Sequence, residues 1–391
     1  MATNNSGAPG SIEMIRTLVG FPTVSRESNL ELIHFVRDYL AELGATARLT
    51  YNDERSKANL FATLGPPAAP GIVLSGHTDV VPVDGQTWDS DPFKLVEKDG
   101  KLYGRGTADM KSFVAVVLAL APEFARRGLK TPLHFAFSYD EEVGCIGVGR
   151  LISDLKLAGI KPRSCIVGEP TLMRPVIAHK GKKGFRCIVR GYSCHSAYAP
   201  SGVNAVEAAA EAVAYLKNMA RRHRDHGPYD RGFDVAHTTV HTGVMHGGTA
   251  LNIVPHACTF DFEFRHLPGD DPDALLAEFN TYIETRLVPE MRAVHPDTGF
   301  TIVPLSTGPA LDNGPEVEVV GLAQELSGND DIGKVSFGTE GSQFQHAGIP
   351  TVVCGPGSIE QAHKPNEYIA VDQVVKCEQF IRRLMDRVCT A

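Results

Sequence analysis

The stretch TPLHFAFSYDEEVG, residues 131–144, sets three consecutive carboxylates directly behind an apolar run. Its first part, LHFAFS (133–138), has the length and composition of a strand that is buried on both faces. Asp140, Glu141 and Glu142 then follow where that strand would end. Such an acidic triplet is either a solvated loop or part of a functional site, and the remaining sequence has to distinguish the two.

Helix-period and strand-period segments alternate in the first half of the chain and again near its end. Segments with a helical apolar pattern are residues 30–44, 110–128, 317–328 and 371–388. Short apolar runs that predict strands are residues 45–50, 59–65, 71–76, 133–138, 164–169 and 350–357. This alternation is typical of an α/β domain in which helices cover both faces of a mixed sheet.

Residues 183–305 interrupt that alternation with the order strand, helix, strand, strand, helix, strand. The order βαββαβ is that of a ferredoxin-like, two-layer α+β unit. Its second helix is predicted over residues 271–287, with Asp271 as N-cap and Pro272 at the first position. The inward face of its first helix is predicted to hold Val206, Ala210, Val213 and Leu216. We therefore predict a main domain formed by residues 1–182 and 306–391, with 183–305 inserted as a separate domain.

Composition argues against several classes of partner. The chain has 38 basic and 46 acidic residues, a net charge of −8, and no basic run, which argues against nucleic acid and anionic membranes. Its longest apolar run, 113–121, is shorter than the roughly 20 residues that a membrane span needs. The N-terminal ten residues lack the features of a signal peptide. Eight scattered cysteines predict free thiols in a reducing cytoplasm.

Metal-ligand residue types follow further predicted strands or precede a helix. They are His77, Asp79, Asp109, Glu169 and His363. Side chains at the carboxyl ends of strands in an α/β sheet gather at one edge, so we expect these residues to join Glu142 there. Nitrogen and oxygen ligands without sulfur suit zinc in a hydrolytic site, or cobalt or manganese. With Asp79 left aside, the two histidines and three carboxylates exceed the needs of one tetrahedral ion and fit two ions with a bridging carboxylate.

The two adjacent glutamates cannot both bind one small ion in ordinary geometry. If Glu142 is a ligand, Glu141 can act as general base toward a water whose pKa the ions lower to near 7. In an extended strand His77 and Asp79 point to the same side, so the Asp79 carboxylate can accept the second imidazole N–H. An aspartate that only caps the following turn is an equally good explanation of this tripeptide. Asp140 receives no predicted role.

Six stretches in this order resemble one family: SGHTDVVP, GRGTADMK, DEEVG, VGEPT, CHSAYAP and GPGSIEQAHKPNEY. They are similar to the dinuclear-zinc amidohydrolases and aminoacylases, whose catalytic domain is zinc-exopeptidase-like and whose inserted domain mediates dimerisation. The resemblance implies that His77 and Glu169 bind one zinc, that Glu142 and His363 bind the other, and that Asp109 bridges them. It also implies that Glu141 is the base and that Asp79 orients His77.

The resemblance further implies substrate contacts. His195 would reach the active site of the partner subunit in a homodimer and stabilise the oxyanion there. Arg265 would bind the substrate α-carboxylate, with Asn252 nearby, although a surface arginine at a strand edge is the alternative. Gly338 and Thr339 would line the pocket.

Three positions depart from the commonest family pattern: Tyr139, Ser112 and Cys194. None is a proposed ligand, so these departures concern the shape of the pocket. Within the family, HKGKKG, FGTEGSQF and GPGSIEQAHKPNE are most similar to the acetylornithine deacetylases, with the succinyl-diaminopimelate desuccinylases next.

This similarity implies a cytoplasmic enzyme that hydrolyses N2-acetyl-L-ornithine, a small-molecule substrate, to ornithine and acetate in arginine biosynthesis. Glu340 is a candidate to bind the side-chain amine of ornithine, and a surface role for it is equally compatible. A related N-acyl amino acid hydrolase or a dipeptidase is the alternative within the family. A non-catalytic scaffold of the same fold is the alternative of another class, although such proteins usually lose a ligand or the base.

Overall fold

The computed structural model describes residues 9–66 and 69–390. Most of the N-terminal ten residues, on which the signal-peptide prediction rests, therefore lie outside the described residues. The chain divides into two compact units. The first unit comprises Met1–Ala178, Asp312–Gly333 and Thr339–Ala391, and the second comprises His179–Leu311 and Lys334–Gly338. Among the described helices, none combines the length and the apolar character needed to cross a bilayer.

The described residues form the following elements. The strands are Thr46–Tyr51 (β1), Ala58–Leu64 (β2), Ile72–His77 (β3), Val96–Lys98 (β4), Lys101–Tyr103 (β5), Leu133–Ser138 (β6), Ser164–Pro170 (β7), Val176–His179 (β8), Gly181–Arg190 (β9), Thr239–Gly247 (β10), Ala257–His266 (β11), Gly299–Gly308 (β12), Leu311–Asp312 (β13), Gly333–Val335 (β14), Thr351–Gly355 (β15) and Tyr368–Ala370 (β16). The α-helices are Ser11–Val19 (α1), Leu30–Glu42 (α2), Lys111–Arg127 (α3), Ile146–Leu157 (α4), Ala205–His226 (α5), Pro272–Tyr282 (α6), Val288–Val294 (α7), Glu318–Ser327 (α8), Gly341–His346 (α9) and Val371–Val388 (α10).

The first unit is built on a mixed sheet whose strands include the order β1, β2, β6, β3, β7, β15. Strand β3 runs parallel to β6 and β7, and β15 runs parallel to β7, whereas β1 and β2 are antiparallel to their neighbours. Every residue of β3, β6, β7 and β15 is buried, because helices cover both faces. The predicted α/β architecture is confirmed, and the carboxyl ends of four parallel strands meet at one edge.

The second unit is a four-stranded antiparallel sheet in the order β10, β11, β9, β12. Its element order is the predicted βαββαβ. Strand β11 lies between β9 and β10 and is antiparallel to both. Strand β11 alternates, with Cys258, Phe260, Phe262 and Phe264 buried. Asp271 caps α6 as predicted, since its carboxylate accepts the N–H of Asp273 at 2.8 Å.

Two details of the second unit differ from the prediction. The buried face of α5 holds Ala205, Ala209, Ala212, Leu216 and Met219, whereas the predicted Ala210 is exposed. Alanines line the buried face because their short side chains let the helix lie close to the phenylalanine-rich sheet. The helical run that begins at α6 also continues beyond the predicted end at Leu287, through a π-turn at Ile283–Leu287 into α7.

Candidate active site

The predicted ligands lie at the edge of the sheet where the parallel strands end. His77 is the last residue of β3 and pairs with Ser138, the last residue of β6. Glu141 and Glu142 follow β6 in the next turn, and Glu169 is the penultimate residue of β7. Asp109 precedes α3, and His363 lies in the loop between β15 and β16. The sheet topology therefore brings together side chains that are separated by up to 286 positions in the sequence.

Asp109 lies between the two histidines. Its Oδ1 is 2.9 Å from His77 Nε2 and its Oδ2 is 3.2 Å from His363 Nε2. Each imidazole also has a carboxylate of its own: Glu169 Oε1 is 3.7 Å from His77 Nε2, and Glu142 Oε2 is 2.9 Å from His363 Nε2. The cluster thus consists of two imidazole–carboxylate halves that share one carboxylate, the arrangement that two neighbouring cations with a bridging ligand require.

Two overlapping sets of donor atoms lie close enough to hold an ion. The donor atoms of His77, Glu141 and Glu169 lie within 4.8 Å of one another, and so do those of His77, Asp109 and Glu142. Both sets contain only imidazole nitrogen and carboxylate oxygen, which suit Zn²⁺ and related divalent ions. The residues present therefore fit a divalent metal centre.

The cluster carries more negative charge than its imidazoles can balance. Burial, together with the charges of Glu142 and Asp109, raises the pKa of Glu141 to about 8. Burial and the Asp109 carboxylate raise the pKa of Glu142 to about 7, and burial also raises the pKa of Glu169 well above its usual range. Hydrogen bonds to Asp109 and Glu142 raise the pKa of His363 to about 10. Bound divalent cations would supply the missing positive charge.

Asp79 contacts both His77 and the acidic turn, but not as predicted. The Nδ1 of His77 donates to the backbone carbonyl oxygen of Asp79 at 2.8 Å, while the nearest Asp79 carboxylate oxygen is 3.7 Å away. A main-chain contact replaces the expected carboxylate contact, because β3 ends at His77 and residues 78 and 79 no longer belong to a regular strand. The His77 ring is nevertheless oriented by residue 79, with Nε2 facing Asp109.

The Asp79 carboxylate instead holds the turn that carries the two glutamates. It accepts the backbone N–H of Glu141 at 3.1 Å and that of Glu142 at 3.4 Å, and the hydroxyl of Ser25 donates to it at 2.7 Å. One residue thereby fixes the imidazole of one ligand and the main chain of another.

Cys145 is a neighbour of Glu141 that the sequence did not single out. Its thiol donates to Glu141 Oε1 with a sulfur–oxygen distance of 3.2 Å, and burial raises the pKa of this thiol well above its usual range. The thiol therefore stays protonated and holds one oxygen of the glutamate. No motif signalled this contact, because it arises from the turn between β6 and α4.

Two other carboxylates near the cluster have structural partners. Asp140 Oδ1 forms an ion pair with Lys57 Nζ at 2.6 Å. Glu340 is 0% exposed, and its two oxygens accept the hydroxyls of Ser75 and Ser138, each at 2.6 Å. The suggestion that Glu340 binds the substrate amine is therefore wrong, as is a surface role: this carboxylate is buried and both of its oxygens are engaged.

Comparison with known proteins assigns the chain to a family. Residues 73–387 match the model of peptidase family M20/M25/M40. The chain belongs to this family. It is 33% identical over 398 residues to an acetylornithine deacetylase from Pasteurella multocida (strain Pm70), across 98% of this chain and 99% of that protein. It is 36% identical over 378 residues to an acetylornithine deacetylase from Myxococcus xanthus, across 95% and 96% of the two chains. The predicted family is thereby confirmed.

Solved structures share the fold. The aminopeptidase PepT from Bacillus cereus matches with a TM-score of 0.75 at 21% identity, over 96% of this chain and 97% of that chain. A dinuclear metal binding peptidase of family M20 from Bacillus subtilis matches with a TM-score of 0.67 at 15% identity, over 96% of each chain. Both matches extend over nearly the whole length.

The residues predicted to contact substrate lie mostly in the second unit. His195 is exposed, and its Nδ1 accepts the backbone N–H of Ala197 at 3.1 Å, which leaves Nε2 as the protonated nitrogen of a neutral ring. The backbone N–H of Ser196 donates to the carbonyl oxygen of Asn252 at 3.0 Å, so His195 and Asn252 are neighbours.

Arg265 does not lie at a strand edge. It belongs to β11, which has β9 on one side and β10 on the other, and it is half-buried. Its Nε donates to Glu263 Oε1 at 3.0 Å, which orients the guanidinium. Gly338 is exposed in the second unit, whereas Thr339 in the first unit is buried and its hydroxyl accepts the N–H of Gly341 at 3.1 Å.

Proposed function

We propose that the chain is a two-metal hydrolase that converts N2-acetyl-L-ornithine to L-ornithine and acetate. The observation that carries this proposal is the pair of imidazole–carboxylate halves that share Asp109, with Glu141 beside them. The substrate is taken from the acetylornithine deacetylases that resemble the chain over nearly its full length. We further propose that the enzyme acts in the cytoplasm, in arginine biosynthesis.

The proposed cofactor is a pair of Zn²⁺ ions, with Co²⁺ or Mn²⁺ as substitutes. His77 and Glu169 would hold one ion, Glu142 and His363 the other, and Asp109 both. When bound, these ions supply Lewis-acid polarisation of the scissile carbonyl and acidify water. Asp79 keeps Nε2 of His77 directed at Asp109 through the bond from Nδ1 to its main-chain oxygen.

Glu141 is the proposed general base. Its carboxylate takes the proton of the water that attacks the acetyl carbon and then delivers that proton to the amine as the carbon–nitrogen bond breaks. The Cys145 thiol holds Oε1, which leaves Oε2 to carry the proton. Asp79 fixes the main chain of Glu141 and so fixes where this carboxylate can reach.

The second unit is proposed to supply dimerisation and substrate contacts, with residues 183–305 as the inserted domain. His195, which is exposed and has Nε2 to donate, would stabilise the oxyanion in the partner subunit's site. Arg265 would bind the α-carboxylate through its terminal nitrogens, since Glu263 engages Nε. Asn252, Gly338 and Thr339 would complete the substrate pocket.

A substrate panel tests the proposed activity. Zinc-loaded protein is assayed with N2-acetylornithine, N-acetylmethionine, N-acetylcitrulline, N-succinyl-diaminopimelate and an unacylated dipeptide, and chelator-treated protein is the control. We expect kcat/KM to be at least about tenfold higher for N2-acetylornithine, because a site built to hydrogen-bond one side chain rejects analogues that do not present the same polar groups. A lead for another acyl substrate or the dipeptide would favour the related hydrolases. Absence of turnover with both metals bound would favour the scaffold.

Subunit complementation tests the proposed role of His195. Glu141→Gln and His195→Ala are prepared as inactive homodimers and mixed in equal amounts under conditions that exchange subunits. In a mixed dimer the His195→Ala chain keeps its base and receives His195 from its partner, so random pairing restores about a quarter of wild-type activity. An exchanged mixture that stays inactive would show that His195 does not act across a dimer.

A further inference from the structure

Glu367 fastens the turn that carries Asp109. It is 1% exposed and precedes β16. Its Oε1 accepts the backbone N–H of Ala108 at 2.8 Å and that of Asp109 at 3.1 Å, and its Oε2 accepts the N–H of Gly106 at 3.0 Å. Three main-chain bonds from one carboxylate therefore set the position of the shared ligand Asp109.

Arg105 links this carboxylate to the His363 loop. It is also 1% exposed, and its Nη1 donates to Glu367 Oε2 at 2.8 Å and to the carbonyl oxygen of Lys364 at 3.3 Å. Its Nη2 donates to Gln86 Oε1 at 2.5 Å, and Gln86 Nε2 donates in turn to the carbonyl oxygen of His363 at 3.0 Å. The guanidinium lies 5.0 Å from the ring centroid of Trp88.

The His363 loop needs such ties. His363 and Asn366 have φ angles of 64° and 56°, in the left-handed region that residues other than glycine uncommonly adopt. The His363 side chain is half-exposed, so packing holds it only in part. By contrast, His77 and Glu169 belong to β3 and β7, whose strand pairing fixes them.

We propose that the Arg105–Glu367 pair, extended by Gln86, is a positioning device for the metal position formed by Glu142, His363 and Asp109. This inference rests on the proposed two-metal function. The pair touches neither substrate nor reacting atoms, and it acts by holding the main chain of two ligands. Its loss should weaken that position more than the one at His77 and Glu169.

The test is a Co²⁺ titration of the metal-stripped full chain, followed by visible absorption, on wild type, Glu367→Gln and Gln86→Ala. Glu325→Gln is the matched control, because Glu325 also pairs with an arginine, Arg387, but at an exposed site. We expect one Co²⁺ equivalent in Glu367→Gln to bind about 10- to 100-fold more weakly, as is typical when a group that orients a ligand is lost. The other equivalent, which also uses Asp109, should weaken by a smaller factor, and the control should change little. Gln86→Ala should weaken only the equivalent held by His363, and by less than Glu367→Gln does.

Three outcomes would overturn the inference. Wild-type affinity for both equivalents in Glu367→Gln and Gln86→Ala would show that the network is only structural. Equal weakening of both equivalents in both variants would show that the network does not act selectively on the position held by His363. If Glu367→Gln does not fold, Gln86→Ala alone decides between selective weakening and no change. Fewer than two equivalents in wild type would instead defeat the proposed two-metal function, and the inference with it.

Discussion

Buried carboxylates of the first unit occur in two kinds of surroundings. Glu340 and Glu367 are surrounded by donors from the chain itself: two serine hydroxyls for Glu340, and three main-chain N–H groups and Arg105 for Glu367. Glu142 and Glu169 instead face Asp109 and two imidazoles, with few protein donors. Burial of a charge is costly unless it is paired and hydrogen-bonded.

The difference between the two kinds separates structure from function. A carboxylate that the chain satisfies by itself stabilises the fold and needs no ligand. The cluster around Asp109 combines burial with an excess of negative charge, and the two together raise the pKa values of Glu141, Glu142 and Glu169. It is complete only when cations are bound, and this is the physical basis for the proposed metal centre.

The largest expected effect comes from Glu141→Gln, which removes the proposed base from the cluster around Asp109. We expect kcat to fall by about 10³- to 10⁴-fold, since the amide cannot accept the water proton. Metal content should be retained, because the five proposed ligands are unchanged. Asp140→Asn is the matched control, a neighbouring carboxylate paired with Lys57, and should keep most of the activity. Near-wild-type turnover of Glu141→Gln in a steady-state assay would exclude it as the base.

Metal binding should release protons, and the release should depend on pH. Without metal, Glu141 with a pKa of about 8 and His363 with a pKa of about 10 are largely protonated at pH 7, and Glu142 with a pKa of about 7 is half protonated. Cations bind the deprotonated groups, so we expect about one to three protons to leave per chain at pH 7.

At pH 9 both glutamates are already ionised and fewer protons should leave. The measurement is calorimetric Zn²⁺ titration in buffers of different ionisation enthalpy, with wild type at the two pH values. Release that is absent at pH 7, or larger at pH 9, would contradict the raised pKa values.

Substitution of Glu340 tests the carboxylates whose hydrogen-bond donors come from the chain itself. Glu340→Ala leaves the buried hydroxyls of Ser75 and Ser138 without their acceptor, and we expect the free energy of unfolding to fall by about 2–4 kcal/mol. Glu340→Gln keeps one acceptor oxygen and should cost about 1 kcal/mol. Urea unfolding measures both. Zinc content of the folded variants should stay at the wild-type value, and a loss of zinc would break the distinction between the two kinds of carboxylate.

A smaller effect on the free energy of unfolding is expected from His134, a buried histidine in β6. Its substitution distinguishes the loss of stability in acid that this residue causes from the loss caused by the cluster around Asp109. Burial lowers the pKa of His134 from 6.5 to about 4, so the fold favours the neutral ring. Its stabilising contribution is complete above pH 6.5 and is lost as the pH falls toward 4, by about 1–1.5 kcal/mol at pH 5.5. In urea unfolding, His134→Gln should lose less stability than wild type between pH 7 and 5.5. An equal loss would assign the pH dependence to other groups.

The sequence predicted those parts of the site that follow from strand direction. Polar residues at the ends of parallel strands must meet, so the convergence of His77, Glu142 and Glu169 was foreseeable from the buried runs before them. The element order of the second unit was likewise visible in its apolar periods, and Asp271 with Pro272 marked the start of α6.

Other contacts could not be predicted because they depend on main-chain geometry or on distant residues. The irregular segment after β3 gives His77 the carbonyl oxygen of Asp79 in place of the carboxylate. Glu340 and Ser75 are 265 positions apart, and no local pattern marks Glu340 as buried. Glu367 belongs to the motif GPGSIEQAHKPNEY, yet its hydrogen bonds to the Asp109 turn join residues 258 to 261 positions apart.

The zinc content of the purified, zinc-reconstituted chain tests the proposed two-metal centre most directly. It is measured by elemental mass spectrometry after removal of free ions. The shared position of Asp109 between two imidazoles predicts about two zinc ions per wild-type chain and about one in His363→Ala, which removes a ligand from one half only. A single ion or none in wild type, or an unchanged content in His363→Ala, would contradict a centre built from two halves.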